Sequence, residues 1–322
     1  MSVLKGIILL MSLVLLTGCK TGAGRQQVSD KPNILIILAD DMGFSDLGFM
    51  GSGIHTPNLD ALAENGLVYS HFYNTARCCP TRASLLTGLY PHQTGMGWMT
   101  ASDLGYPGYT GDLNLECITV AEALDKSEYN CYMTGKWHLT HERYIHPDGP
   151  RHSWPLQRGF NKFYGHLSGG GSYFHPGDLI DDNQWLEIPD DSYLTSAVSD
   201  SAAAFLEDHF EKGRGPFFFY LSYYAPHRPL HALQGDVAKY RGSFLKGWDR
   251  YREEKYNQQV ELGIAGPGWA LSGRDPEIAA WETLSDEEKR LWDARMAVYA
   301  AMIDRMDQGI GKVLDVLRKN DA

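Results

Sequence analysis

Three runs of predominantly apolar residues, each of strand length, punctuate the chain: residues 34–39, 130–134 and 217–222. Near-continuous apolar stretches of that length read as strands buried on both faces, the habit of a parallel sheet covered by helices. Between them the pattern changes to a helical period. Leu194, Val198, Ala202 and Phe205 mark one face of a helix over residues 195–212. Leu291, Ala294, Val298, Ala301, Met302 and Met306 mark another, which Ile310, Val313, Leu314 and Leu317 carry on past Gly309 and Gly311. Ser285 with Glu288 and Thr119 with Glu122 have the spacing of capping boxes, the second opening a helix to Lys126. Thr56, Pro57 and Gly66 bracket a shorter helix with Leu59 and Leu62 on its apolar face. Residues 68–74 read as a strand or extended segment, and residues 159–165 as one short strand. Buried strands alternating with helices predict an α/β domain. In such domains ligands sit beyond the carboxyl ends of the strands.

Chemistry is therefore expected just past the end of each apolar run. The first ends in Asp40-Asp41, two carboxylates that suit a hard cation such as Ca²⁺ or Mg²⁺, or that form a solvated turn. The second runs into Gly135-Lys136-Trp137-His138. In extended backbone positions i and i+2 share a face, so Lys136 and His138 would point to one site with Trp137 turned away to pack. The third ends in Ala225-Pro226-His227-Arg228-Pro229, where two prolines fix the direction of an imidazole. Residues 78–88 predict a helix start, with Pro80 in the first turn and Gly88 as the stop. Cys78 then lies just ahead of a helix N-terminus with Arg82 close by, where negative charge is favoured. A nucleophile placed there is a catalytic arrangement; a small buried thiol is the plainer alternative. Residues 141–192 are loop-rich, and Tyr173 and His175 are expected on a substrate-facing loop.

Cys78-x-Pro80-x-Arg82, followed after four residues by Thr87-Gly88, resembles the sulfatase signature at every fixed position. The segment 135–139 is similar to the second signature of that family and departs at Thr140, where glycine is usual. The resemblance implies an alkaline-phosphatase-like, three-layer α/β fold with a large mixed, mostly parallel central sheet. It implies that Cys78 is oxidised to formylglycine by a formylglycine-generating enzyme. The hydrated aldehyde would supply a hydroxyl for in-line attack on sulfur. It implies Asp40, Asp41 and Cys78 as ligands of Ca²⁺, with Mg²⁺ as the other option. Arg82 and Lys136 would stabilise the oxyanion and diol, His227 would protonate the leaving alcohol, and His138 would take the second hydroxyl's proton. The family's later Asp-Asn strand, its further lysine and its C-terminal subdomain are expected to be missing, so that residues 31–322 would be a truncated catalytic domain.

Composition narrows the partners. A net charge of −11 over 322 residues argues against a general nucleic-acid binder, and an anionic substrate would need a local cationic site. Lys5, the apolar residues 6–16 and Leu16-Thr17-Gly18-Cys19 look like a lipoprotein signal peptide over residues 1–18. Lipidated Cys19 would then anchor the protein to a membrane through a polar tether over residues 19–30. That makes it an extracytoplasmic bacterial lipoprotein, periplasmic or on the cell surface. In such a compartment Cys117 and Cys131 form either a disulfide or two buried thiols. The expected activity is hydrolysis of an aryl or carbohydrate sulfate ester. A phosphonate or phosphate ester hydrolase, or a non-catalytic lipid-anchored binder of sulfated glycans, are the alternatives.

Overall fold

The computed structural model describes residues 31–322 other than residue 267. The signal peptide, Cys19 and the tether lie outside the described residues. The apolar runs become strands of one six-stranded sheet: β1 (Ile34–Asp40), β2 (Asn130–Lys136), β3 (Lys162–His166), β4 (Ile180–Asp181), β5 (Gln184–Trp185) and β6 (Phe217–Pro226). Their order is β1-β6-β2-β3-β4-β5. The pairs β1–β6, β6–β2 and β2–β3 are parallel, while β4 and β5 add a short antiparallel margin. β6 lies between β1 and β2 and is buried along its whole length, which is why its sequence shows no polar alternation.

Alternate residues of β6 serve two layers. Phe217, Phe219, Leu221 and Tyr223 face α4 (Leu194–Glu211) and α7 (Asp286–Lys319), meeting Val198, Ala202, Met302, Met306 and Ile310. Phe218 and Tyr220 face the opposite layer, where α2 (Cys78–Thr87) and α3 (Val120–Asp125) contribute Cys79, Ala83, Leu86 and Ala121. α1 (Pro57–Glu64), α5 (Gln234–Tyr240) and α6 (Trp248–Glu261) complete the helices. Both capping boxes form, with Glu122 N donating to Thr119 Oγ1 at 3.1 Å and Glu288 N to Ser285 Oγ at 3.3 Å. Helix α7 runs through Gly309 unbroken. A Cβ there would lie 2.0 Å from Ser199 Oγ, so this glycine marks the close crossing of α7 over α4.

Two open alternatives are decided. Residues 68–74 join no ladder; Tyr69, Phe72 and Tyr73 are 69%, 78% and 85% exposed, so the segment is extended without a partner. Cys117 and Cys131 are both free and buried, which resolves that pair as thiols. Cys131 Sγ faces Ala121 O and Cys117 Sγ faces Asn114 O.

Candidate active site

The carboxyl ends of β1, β2, β3 and β6 and the start of α2 meet around one buried ionic cluster. Asp40 ends β1, and its Oδ2 accepts from Lys136 Nζ at 2.5 Å and lies 3.3 Å from Arg82 Nη2. Arg82 is buried, one turn into α2. Its Nη1 donates to Lys136 O at 2.8 Å, to Tyr220 Oη at 3.3 Å and to Ser222 Oγ. Burial pushes the Asp40 carboxyl up, but Arg82 and Lys136 outweigh it and hold the group below the ordinary carboxylate value. Burial, then the neighbouring guanidinium, lowers the Lys136 ammonium.

Cys78 is the first residue of α2, inside the helix and not ahead of it, with Arg77 as the N-cap. The two neighbouring cysteines divide into different states. Cys79 donates its S–H to Cys78, and with His138 and Lys136 nearby this lowers the Cys78 thiol to about 3. Cys79 is pushed the other way by that same hydrogen bond, by burial and by the charge on Cys78. Helix N-termini act in the same direction on Cys78. Cys78 is half-buried and lines a cleft of about 720 Å³ with Asp40, Asp41, Arg82, Thr81 and Asn74.

Lys136 and His138 both reach the cluster, but not by strand alternation. β2 ends at Lys136, and His138 takes a left-handed φ of 55°. Its N–H donates to Leu167 O at 3.1 Å. Trp137 does turn away, packing edge-on to Phe160 with its indole N–H on Ser153 O. Burial lowers His138 to about 4, although the charge of Cys78 beside it acts the other way, so the ring is neutral near pH 7. Thr140, where the sequence departs from the signature, is buried and donates to Ser153 O.

His227 follows β6. Its Nε2 lies 3.4 Å from Asp41 Oδ2, and its Nδ1 lies 2.5 Å from Arg228 O and 3.2 Å from Tyr224 Oη. Tyr173 is not substrate-facing. It is buried, with its hydroxyl 2.7 Å from His227 O and 3.0 Å from Tyr224 O, so it fixes the loop that carries His227. His175 is exposed, on the turn that comes next.

Two residues escaped sequence reasoning. His166 pairs in register with Lys136 across β2–β3, is fully buried, and has Nδ1 3.1 Å from Ser168 O while its Nε2 has no hydrogen-bond partner. Burial and the charges of Lys136 and Arg82 hold it well below the usual histidine value. Asp178 accepts from Leu167 N, Ser168 N and Ser168 Oγ and so braces the segment beneath His138. The signal for His166 was the register of β3 on β2, which residues 159–165 alone do not reveal.

For a divalent cation, Asp40 and Asp41 offer hard oxygen donors on the cleft wall, and the positive φ of Asp41 turns the chain there. They fit part of a six- to eight-oxygen site. Among the described residues, however, the group of three possible ligands that the geometry gathers is Cys78, Cys79 and His138, not Asp40, Asp41 and Cys78. Two cations around one carboxylate, beside a nucleophile and a neutral imidazole, can bind a tetrahedral anion and move a proton.

The family model described as Sulfatase matches residues 32–322. The arylsulfatase of Klebsiella aerogenes is 32% identical over 311 residues, covering 92% of this chain and 65% of that protein. An uncharacterized sulfatase of Schizosaccharomyces pombe is 33% identical over 324 residues, covering 91% of this chain and 56% of that one. Among solved structures, Ps i-CgsB superposes with a TM-score of 0.64 at 28% identity, covering 90% of this chain and 56% of its own. The chain thus spans a little over half the length of several of the proteins it matches.

Proposed function

The chain belongs to the sulfatase family, and on that premise we propose that it serves in the hydrolysis of sulfate esters, with aryl or carbohydrate sulfates as substrates. The observation that carries the reading is the convergence of Arg82, Lys136 and His138 on Cys78, which with Arg82 lines a cleft of an otherwise acidic protein. The arylsulfatase name of one relative, and the crystal structure of Ps i-CgsB with k-i-k-neocarrahexaose, support the two substrate classes.

Each side chain has a task its surroundings permit. Arg82 and Lys136 are locked in place and present positive charge to the sulfate oxygens without reorganising. His138, neutral and buried, accepts a proton beside residue 78. His227 has Nδ1 directed at a backbone carbonyl, so Nε2 is the atom through which a proton passes to the leaving alcohol. Conversion of Cys78 by a formylglycine-generating enzyme would supply an aldehyde whose hydrate offers the attacking hydroxyl. Asp40 and Asp41 would hold Ca²⁺ or Mg²⁺, which when bound draws charge from the sulfate. The same proposal anchors the protein outside the cytoplasm through lipidated Cys19, which mass analysis of the N-terminal peptide would reveal.

The test combines mass spectrometry of the Cys78 peptide with turnover of matched aryl sulfate and aryl phosphate esters. Sulfate turnover that Cys78→Ala abolishes and Cys79→Ala lowers far less supports the reading. Faster phosphate turnover makes the chain a phosphate or phosphonate esterase, and glycan binding without any turnover makes it a binding protein. An unmodified thiol in an active preparation removes the aldehyde.

A further inference from the structure

Before any conversion of Cys78, the cleft holds a different chemistry. Cys78 Sγ, Cys79 Sγ and a ring nitrogen of His138 all lie within 4.8 Å of one another. These are soft or borderline donors, the set that thiophilic metals select and Ca²⁺ does not. The carboxylates nearby are hard donors that suit such an ion less than sulfur does, and Asp40 is already paired with Lys136 and Arg82.

We propose that in its thiol form the protein binds one thiophilic divalent metal, Zn²⁺ or Cd²⁺, through Cys78, Cys79 and His138. Tetrahedral zinc with Zn–S bonds of about 2.3 Å sets two sulfurs about 3.8 Å apart, so the observed cluster needs only a small contraction. Cys79 and His138 are buried and Cys78 opens to the cleft, which gives the ion a route in and leaves a fourth position toward solvent. A fourth soft donor stands behind them, since Met99 Sδ lies 3.6 Å from Cys79 Sγ. His138 Nδ1 is buried with no hydrogen-bond partner within the protein, as an unused ligand atom would be. On binding, a sulfur that still carries its proton releases it to solvent as the bond to the metal forms, a thiolate bonds directly, and nothing is oxidised or reduced. The consequence is protection: in the folded thiol form, a metal-bound Cys78 sulfur is closed to alkylation and to oxidation. The site stands whether or not the protein proves to be a sulfatase, because it depends only on the unmodified side chains.

The experiment uses the whole chain prepared with Cys78 as a thiol, verified by peptide mass. Titration with Cd²⁺, read by thiolate-to-metal charge-transfer absorption and by native mass spectrometry, is expected to saturate at one ion per chain. Zn²⁺ should displace it and Ca²⁺ should not. Cys79→Ser and His138→Asn should each weaken binding at least tenfold, while Cys117→Ser leaves it unchanged. If a variant fails to fold, the wild-type chain still decides: bound Zn²⁺ should protect Cys78, and not an added thiol, from alkylation. No charge-transfer band at one equivalent, no protection, or binding that survives Cys79→Ser and His138→Asn overturns the proposal.

Discussion

Acidification should unfold this domain through its buried histidines, and His138 sets a magnitude. Its folded value of about 4 lies below the ordinary value of 6.5, chiefly through burial. Between those values the unfolded chain binds a proton that the folded chain refuses. Stability is therefore fully present above the unfolded value and is lost as pH falls toward the folded one. Each pKa unit corresponds to about 1.4 kcal/mol, so His138 alone accounts for about 3 kcal/mol across the window. That is a large fraction of the roughly 5–15 kcal/mol that holds a typical domain together. His166, also held well below the usual value, adds in the same direction. Urea unfolding at a series of pH values from about 7 down to about 4.5 measures the slope. His138→Gln, neutral throughout, should start lower at pH 7 but lose stability less steeply. A variant whose profile runs parallel to that of the wild type would show that His138 is not the group refusing the proton.

Arg82→Met keeps the volume but strips Asp40 of one of its two cations and removes the guanidinium donor from the hydroxyl of Tyr220 and from Ser222 Oγ, which keeps its bond to Lys136 O. Breaking such a buried pair costs about 3–5 kcal/mol, which a thermal or urea melt would register; a change under about 1 kcal/mol would contradict the geometry. In the thiol form, Cys78 should react with iodoacetamide at about pH 5, where Cys79, Cys117 and Cys131 stay inert. Peptide mapping after a short pulse reports this, and labelling that begins only above about pH 8 would mean that Cys79 does not donate to its neighbour.

The positions of the strands were legible because a fully buried strand has no reason to include polar residues, and residues 34–39 and 217–222 include almost none. Both capping boxes were legible because their hydrogen bonds are local. Strand β3 was visible as a short apolar piece, but its register on β2 was not, and with it went His166. Tyr173 was misplaced for a related reason. An aromatic residue in a glycine-rich loop looks exposed until the loop folds back onto Tyr224 and His227. Lys136 and His138 were grouped by the alternation of an extended chain. They do meet, yet through a left-handed turn at His138 that no spacing rule foretells. The pairing of Cys117 with Cys131 was open on sequence because spacing does not set connectivity, and the fold leaves both as thiols.

The cluster at the end of β1 also explains how a chain of net charge −11 can receive an anion. Arg82 and Lys136 bring two positive charges to one buried carboxylate. Asp40 thus cancels one charge and leaves the other for a ligand in the cleft. Asp40→Asn removes the cancelling charge while keeping the shape of the group. Two uncompensated buried cations then repel each other, which costs stability, and together they attract an anion more strongly. The expected outcome is opposite signs in two assays: a lower urea midpoint in plain buffer, and a larger recovery of stability on adding sulfate than the wild type shows. Ligand binding to the folded state raises stability by RT ln(1 + [L]/Kd), so a tenfold gain in affinity appears as about 1.4 kcal/mol at saturating sulfate. If sulfate stabilises the variant no more than it does the wild type, Arg82 and Lys136 are held for the fold and are not presented to the cleft.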